Sequence, residues 1–153
     1  SRKILWTPLI LLTIKDKHPV MKPRVEVAIG IIFHQGRILI TQRLAHAHLP
    51  HLWEFPGGKK MPNESFEECL TRELWEELKI QVVIEKKKFL TKHEYPEKIV
   101  HLIFFCCRYL NGNVKALGCQ QFKWVYPKEL KNYSFPAANQ PILEKLLCTY
   151  PPV

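Results

Sequence analysis

Repeating apolar positions divide the chain into strand-like and helix-like segments. Residues 25–33 are rich in β-branched side chains, and residues 37–43 follow after a His-Gln-Gly turn, which predicts a β-hairpin. Between Ser65 and Leu78 the apolar residues recur every fourth position, which predicts a helix. Strands on both sides of this helix indicate a mixed α/β fold. Further strands are predicted over residues 82–84, 89–93, 99–110 and 122–125, and short helices over residues 127–130 and 141–147.

The predicted central helix has a recognisable start and one apolar side. Ser65 and Glu68 have the spacing of a capping box, in which the two residues satisfy each other's backbone N–H groups. The apolar stripe consists of Phe66, Leu70, Leu74 and Leu78.

The first twenty residues follow neither pattern. Their apolar runs, residues 4–6 and 9–12, are separated by Pro8 and are too short to span a bilayer. No small-residue cleavage signal precedes the basic stretch of residues 15–22. We therefore predict an N-terminal extension over residues 1–20 and one domain over residues 21–153.

Composition and charge suit a globular protein that binds an anion. The 153 residues are 46% hydrophobic and 24% charged, which is enough for one packed domain. The formal charge of +9 attracts polyanions, although a merely solvated basic surface is the alternative. Because the lysines are scattered rather than interleaved with aromatic residues, small anionic ligands are favoured over nucleic acid. We expect a monomer or weak dimer, with no stable nucleic-acid complex and no membrane association.

The cysteines and histidines predict no metal site of their own. The five cysteines include no Cys-x-x-Cys pair, which favours reduced core thiols in a cytoplasmic protein. His46, His48 and His51 have no cysteine or carboxylate partner nearby in the sequence, so we expect them to be structural or solvent-exposed.

Three glutamates crowd one side of the central helix. At about 100° per residue, Glu73 and Glu77 lie about 40° apart and Glu76 lies about 60° from Glu73. Their mutual repulsion at the edge of a core calls for a cation, and Mg²⁺ prefers carboxylate oxygens. A solvated acidic helix face is the alternative for these three residues alone. Upstream, a Gly-Gly-Lys sequence at residues 57–59 would let a phosphate approach the backbone closely, although by itself this sequence is more typical of a plain turn.

The combined spacing of these residues matches a known motif. Gly58 is followed by five residues and Glu64, then by seven residues and the sequence Arg-Glu-Leu-x-Glu-Glu at residues 72–77. This arrangement resembles the Nudix box, to which Ile80 also conforms. Lys79 stands where the family has a glycine, which would cap the helix in a left-handed conformation. A lysine there costs about 1 kcal/mol, partly offset by its charge at the helix C-terminus.

The resemblance extends from Arg24 to about Leu147. The segments 27–43, 53–59 and 135–141 are similar to the MutT branch, which includes hydrolases that remove 8-oxo-dGTP from the nucleotide pool and so avoid mutation. The resemblance implies a central mixed β-sheet sandwiched between helices. It also implies a magnesium-dependent hydrolase, in which Mn²⁺ can replace Mg²⁺, that produces a nucleoside monophosphate and pyrophosphate.

The resemblance assigns roles within the box. Glu73, Glu76 and Glu77 match the family's metal ligands, together with the carbonyl of Gly57. Glu73 also matches the residue that orients or deprotonates water, with Glu64 as an alternative base or outer ligand. Arg72 is expected to orient Glu73 by a charged hydrogen bond.

The resemblance also assigns substrate contacts. Lys59 is expected to touch phosphate, and Arg43 matches a substrate-side arginine. Asn139 matches a residue that reads the base, and the backbone of Phe55 matches part of the base pocket. The residues themselves leave plainer alternatives open: a helix cap for Asn139, core packing for Phe55 and a solvated strand end for Arg43.

Two departures from the MutT pattern concern the substrate and the metal. Residues 115–121 contain no acid where many MutT-like proteins have another metal-binding glutamate, so either Glu97 reaches the site or fewer ligands hold the metal. Lys98 stands where that branch has an arginine. Hydrolysis of CTP or a dinucleoside polyphosphate is therefore a rival, as is a non-catalytic 8-oxoguanine-sensing module of a DNA-repair glycosylase. The intact glutamates favour a hydrolase over the sensing module.

Overall fold

The strands and helices follow the predicted order. The computed structural model describes residues 21–149, so the predicted extension at residues 1–20 lies outside the described residues. The elements are β1 Arg24–His34, β2 Arg37–Gln42, β3 Trp53–Glu54, β4 Gly57–Lys59, α1 Phe66–Leu78, β5 Gln81–Glu94, β6 Ile99–Asn111, β7 Gln121–Val125, 3-10 helices Pro127–Asn132 and Ala137–Asn139, and α2 Gln140–Thr149.

The predicted hairpin is present and opens the sheet. β1 and β2 pair antiparallel, with Phe33 opposite Ile38. Gln35 and Gly36 form the turn with φ values of 50° and 76°. Two successive positive φ values match the right-handed twist of the flanking strands.

The sheet is mixed, and its topology brings the Gly-Gly-Lys segment to its middle. The strand order is β3-β2-β1-β6-β5, with β4 paired to β1 and β7 paired to β2. β1 and β6 are parallel, whereas the other pairs are antiparallel. In the pairing of β4 with β1, Gly57 lies opposite Ile29 and Gly58 lies opposite Ala28.

A hydrophobic core covers each face of the sheet. α1 buries Leu70, Leu74 and Leu78 in one core, as its four-residue periodicity predicts. α2 buries Ile142 and Leu146 in the other. Each such side chain contributes roughly 1.5–3 kcal/mol when fully buried. The predicted α-β-α sandwich around a mixed sheet is therefore confirmed.

Two of the predicted strands are one strand. Residues 82–84 and 89–93 belong to the continuous strand β5, whose register with β6 is irregular between Ile84 and Lys88. A bulge leaves residues unpaired and bends the strand. The exposed lysines at residues 86–88 interrupt the apolar alternation, which explains why the sequence pattern divided this strand.

The predicted behaviour of the cysteines and histidines is confirmed where the structure describes them. Cys69, Cys106, Cys107 and Cys119 are buried and unpaired by disulfides. The three histidines at positions 46, 48 and 51 are exposed. Within residues 21–149, neither α-helix has the length and hydrophobicity needed to cross a bilayer.

Candidate active site

The start of α1 is fixed by its capping box. The Ser65 Oγ accepts a hydrogen bond of 3.0 Å from the Glu68 N–H, and the Glu68 carboxylate accepts one of 2.8 Å from the Ser65 N–H. The predicted capping box is therefore confirmed. Because it fixes where the helix begins, it also fixes which side chains of α1 face β4.

Gly58 brings the backbone of β4 directly against α1. A Cβ atom added to Gly58 would overlap the carboxyl group of Glu73. The Cys69 thiol donates a hydrogen bond of 3.5 Å to the Gly58 carbonyl. A side chain at this position would push the Glu73 carboxylate away, so the glycine serves close approach rather than backbone freedom.

Arg72 is the counterion of three glutamates, Glu64, Glu73 and Glu76. Its Nε and Nη2 atoms donate to the two oxygens of Glu64 at 3.0 and 2.7 Å. Its Nη1 atom donates to Glu73 at 2.9 Å and to Glu76 at 3.3 Å, and Nη2 also donates to the Lys59 carbonyl at 3.2 Å. This planar fork connects the helix to β4 and holds the Glu73 carboxylate in one orientation.

The environment of Glu64 favours its ionised form, as the counterion of Arg72. Its hydrogen bonds from Arg72 and from the Met61 N–H lower its pKa to about 2. The hydrogen bonds that Arg72 donates to Glu64, and also to Glu73, raise the pKa of Arg72. A carboxylate with so low a pKa is a weak proton acceptor near neutral pH. The geometry therefore favours Glu64 as the residue that anchors Arg72.

Glu77 has the opposite environment. Burial raises its pKa well above the ordinary value, and the nearby Glu73, Glu54 and Glu76 raise it further. Glu77 faces an open cavity of about 330 Å³. The cavity is lined by Val27, Ile29, Arg43, Leu44, Ala47, Glu54, Phe55, Gly57, Gly58, Lys59, Glu77 and Gly118.

Glu54 is a cavity residue that the sequence analysis overlooked. It forms an ion pair of 2.9 Å with Arg43, and both side chains are largely buried, with exposed fractions of 34% and 26%. Burial raises the pKa of Glu54, although Arg43 opposes the shift. The available signal was an acid between two aromatic residues, Trp53 and Phe55, just before the glycines.

The loop without an acid packs directly on Glu77. The N–H groups of Leu117 and Gly118 donate to the Glu77 carbonyl at 3.0 and 3.2 Å. A Cβ atom at Gly118 would lie 2.8 Å from the Glu77 Cγ. Glu97 does not line this cavity. It lies in the turn between β5 and β6, where the Tyr95 N–H donates to the Lys98 carbonyl at 2.7 Å.

Comparison with known proteins identifies the family. A model of the NUDIX domain matches residues 27–145. The chain belongs to the NUDIX domain family. It is 35% identical over 123 residues to the CTP pyrophosphohydrolase of Escherichia coli strain K12, covering 80% of this chain and 91% of that protein. It is 32% identical over 124 residues to the 8-oxo-dGTP diphosphatase of the same strain, covering 80% and 96%.

A solved structure supports the same assignment. The solution structure of the Escherichia coli ORF135 protein matches with a TM-score of 0.71 at 33% identity, covering 86% of this chain and 96% of that one. The chain is therefore a Nudix pyrophosphohydrolase of the MutT-like branch, which acts on phosphoric anhydride bonds in nucleotides.

The structure brings most of the predicted Nudix site residues together. Arg43, Phe55, Gly57, Lys59 and Glu77 line the one cavity described above. The Nudix-box residues Glu64, Glu73 and Glu76 do not line it, but all three contact Arg72, which donates to the carbonyl of the lining residue Lys59. The Glu73 carboxyl also lies against the lining residue Gly58.

Two residues predicted to contact the substrate, Asn139 and Phe55, have partners within the protein. Asn139 lies outside the cavity lining, and its side-chain amide donates to the Pro136 carbonyl at 3.5 Å. The Phe55 ring is buried against Phe135, with ring centroids 5.1 Å apart, so its side chain serves the core while the residue also borders the cavity.

The residues around Gly58 fit the divalent cation that Nudix hydrolases generally use. Their donors are carboxylate oxygens, and the burial and crowding of Glu77 disfavour its anionic form until a cation balances it. Among residues 21–149, no three cysteine, histidine or acidic side chains converge into a ready-made cage. Mg²⁺ suits a site with so few protein ligands, because it is commonly bound by one or two carboxylates together with substrate phosphates.

Proposed function

We propose that this Nudix hydrolase converts 8-oxo-dGTP to 8-oxo-dGMP and pyrophosphate with Mg²⁺, and so removes a mutagenic nucleotide from the cytoplasmic pool. One observation carries the proposal: a single cavity is lined by the carboxylates Glu54 and Glu77 and by the cations Arg43 and Lys59. Carboxylates suit divalent cations, and the two cationic side chains suit the charge of a triphosphate.

The cation would be held by the side chains nearest Gly58. Glu73, Glu76 and Glu77 supply oxygens, and the Gly57 carbonyl is a further donor. Mn²⁺ has similar ligand preferences and is expected to replace Mg²⁺. When bound, the cation neutralises phosphate charge and polarises the phosphorus–oxygen bonds.

Glu73 is the proposed general base. Its carboxylate accepts a hydrogen bond of 2.9 Å from Arg72, which orients it, and it is proposed to accept the proton of the attacking water. The water oxygen attacks the β-phosphorus, and the bond from that phosphorus to the oxygen shared with the α-phosphate breaks. The products are the nucleoside monophosphate and pyrophosphate. Arg72 orients Glu73, and Glu64 in turn holds Arg72.

The remaining roles concern the substrate. Arg43 and Lys59 are proposed to bind the phosphate chain in the cavity that both residues line. Asn139 is proposed to read the base, since an amide offers both a donor and an acceptor to a purine edge. The backbone of Phe55 is proposed to border the base.

CTP is the second candidate substrate. The relative that shares 35% identity is a CTP pyrophosphohydrolase, whereas the 8-oxo-dGTP diphosphatase shares 32%. Two values so close do not discriminate between the bases, but the shared reaction type is the same.

A substrate panel tests this function. Pyrophosphate release would be measured from 8-oxo-dGTP, dGTP and CTP, with Mg²⁺ and with a chelator, for the wild type and for Asn139→Ala. We expect Mg²⁺-dependent release with a preference for 8-oxo-dGTP that Asn139→Ala weakens. Faster turnover of CTP would assign the chain to the second candidate. Tight, salt-sensitive binding to duplex DNA without any turnover would instead support a sensing module.

A further inference from the structure

The carboxylate of Glu54 opposes the binding of a triphosphate. It is largely buried and lines the cavity that we assign to a polyanion. A negative charge at that position repels phosphate, and the surrounding burial strengthens the repulsion. Its presence therefore requires a benefit that outweighs this repulsion.

The contacts of Arg43 indicate what that benefit is. The Arg43 Nη1 donates to Glu54 at 2.9 Å, and its Nε donates to the His48 carbonyl at 2.5 Å. The backbone of Arg43 is held as well, because its N–H donates to the Leu52 carbonyl at 2.8 Å and its carbonyl accepts from the His51 N–H at 3.3 Å. The guanidinium is therefore held at two of its three nitrogens, Nε and Nη1.

A restrained guanidinium still has donors to offer. Arginine carries five N–H groups in a rigid plane, and the two contacts with Glu54 and His48 occupy two of them. Because the group is rigid and planar, fixing two of its nitrogens determines where the N–H groups of the third nitrogen, Nη2, point. Arg43 lines the cavity, so the remaining donors are available to a ligand there.

We propose that Glu54 is a positioning residue that holds the Arg43 guanidinium in the orientation in which its remaining donors bind the phosphate chain of the substrate. This inference rests on the proposed function, because it takes a phosphate chain as the ligand. The pairing of β2 with β3 supports it, since Glu54 lies opposite Thr41, and Arg43, two residues beyond Thr41, is therefore its diagonal neighbour on the same face.

A double-mutant cycle tests the coupling. The kcat/KM for pyrophosphate release would be measured for Arg43→Ala, Glu54→Ala and the double variant. We expect Glu54→Ala to lose about 10²-fold, as misplaced binding groups do, and the double variant to lose no more than Arg43→Ala alone. Independent, multiplicative losses would overturn the proposal, because Glu54 would then act without Arg43.

The conservative variant separates positioning from charge. Glu54→Gln keeps an oxygen that accepts from Arg43, so we expect it to remain within about fivefold of the wild type. A Glu54→Gln variant as impaired as Glu54→Ala would overturn the proposal in favour of a direct role of the negative charge. Glu85→Ala is the matched control, because Glu85 forms an exposed ion pair of 3.5 Å with Arg108 and does not line the cavity.

A measurement without substrate keeps this inference separate from the proposed function. The ¹⁵N relaxation of the Arg43 side chain, assigned by its loss in Arg43→Ala, reports how rigidly the guanidinium is held. It should be rigid in the wild type and in Glu54→Gln, and mobile in Glu54→Ala. Equal rigidity in all three would overturn the inference. A wild type that releases no pyrophosphate would instead defeat the proposed function, while the relaxation result would still decide the role of Glu54.

Discussion

Glu64 and Glu77 lie near opposite ends of α1 and have opposite electrostatic environments. Glu64 is paired with Arg72 through two hydrogen bonds, and its pKa falls to about 2. Glu77 is crowded by burial and by other carboxylates, and its pKa rises. Glu73 lies between them, since it accepts a hydrogen bond from Arg72 and also contacts Glu77.

The contrast separates a structural carboxylate from one that awaits a ligand. The charge of Glu64 is balanced by Arg72, a residue of the same chain. Glu77 is surrounded by further carboxylates, so its anionic form is favoured only when a cation binds beside it. The following substitutions test this contrast first at Glu73, then at Glu77 and Glu64, and finally at Lys79, where α1 ends.

The largest expected effect is at Glu73, where the two environments meet. Glu73→Gln keeps the shape of the side chain but removes its ability to accept a proton, so we expect kcat to fall at least about 10²-fold. Turnover would be followed by pyrophosphate release at saturating substrate, and folding by circular dichroism. Glu67→Gln is the control, because Glu67 is exposed in the first turn of the same helix. Near-normal turnover of a folded Glu73→Gln protein would remove Glu73 from the role of base.

Smaller effects, on stability and opposite in sign to each other, are expected at Glu77 and Glu64. Without divalent cations, Glu77→Gln relieves repulsion and should stabilise the protein by an amount on the order of 1 kcal/mol, the value of one pKa unit. Glu64→Gln breaks the pair with Arg72 and should destabilise it. Thermal unfolding in EDTA measures both. Two shifts of the same sign would end the distinction drawn between these carboxylates.

The same contrast predicts how pH acts on the cation-free protein. The pKa of Glu77 is higher in the folded than in the unfolded chain, so the unfolded chain loses this proton first. Stability therefore falls as pH rises above about 4.5, until the raised pKa is passed. The pKa of Glu64 is lowered, so its contribution is lost as pH falls from about 4.5 toward 2. Cation binding displaces the Glu77 proton, so affinity for Mn²⁺ should increase between pH 6 and pH 8, and Glu77→Gln should remove that increase.

The backbone of this site could be predicted from the sequence because its signals are local. The capping box at Ser65 and the stripe of leucines each depend on residues within a few turns of one helix. The Nudix-box spacing likewise joins Gly58 and the acidic helix in one motif, and Gly58 lies directly against Glu73. These features require no knowledge of distant contacts.

Contacts between distant segments could not be predicted in the same way. The pair of Arg43 and Glu54 depends on the register of β2 with β3 across a ten-residue loop, and no local pattern encodes that register. The packing of Gly118 on Glu77 is also non-local, so the missing loop acid was visible in the sequence but its surroundings were not. The continuous strand β5 was hidden because its bulge carries lysines rather than alternating residues.

The smallest expected effect concerns Lys79, which ends α1 two residues after Glu77. Its φ of 58° and ψ of 39° are the left-handed conformation expected where the family has glycine. Glycine removes a penalty of roughly 1–2 kcal/mol, but Lys79→Gly also loses the ammonium that lies 4.9 Å from the Trp75 ring centroid, worth roughly 0.5–1 kcal/mol. The two terms nearly cancel, so we expect a net stabilisation below about 1 kcal/mol in thermal unfolding. Asparagine adopts the left-handed conformation less readily than glycine and also lacks the ammonium, so Lys79→Asn should be the less stable of the two variants. Because the charge contrast depends on side chains, both variants should bind Mn²⁺ as the wild type does, and a changed affinity would show that the strained turn helps to position Glu77.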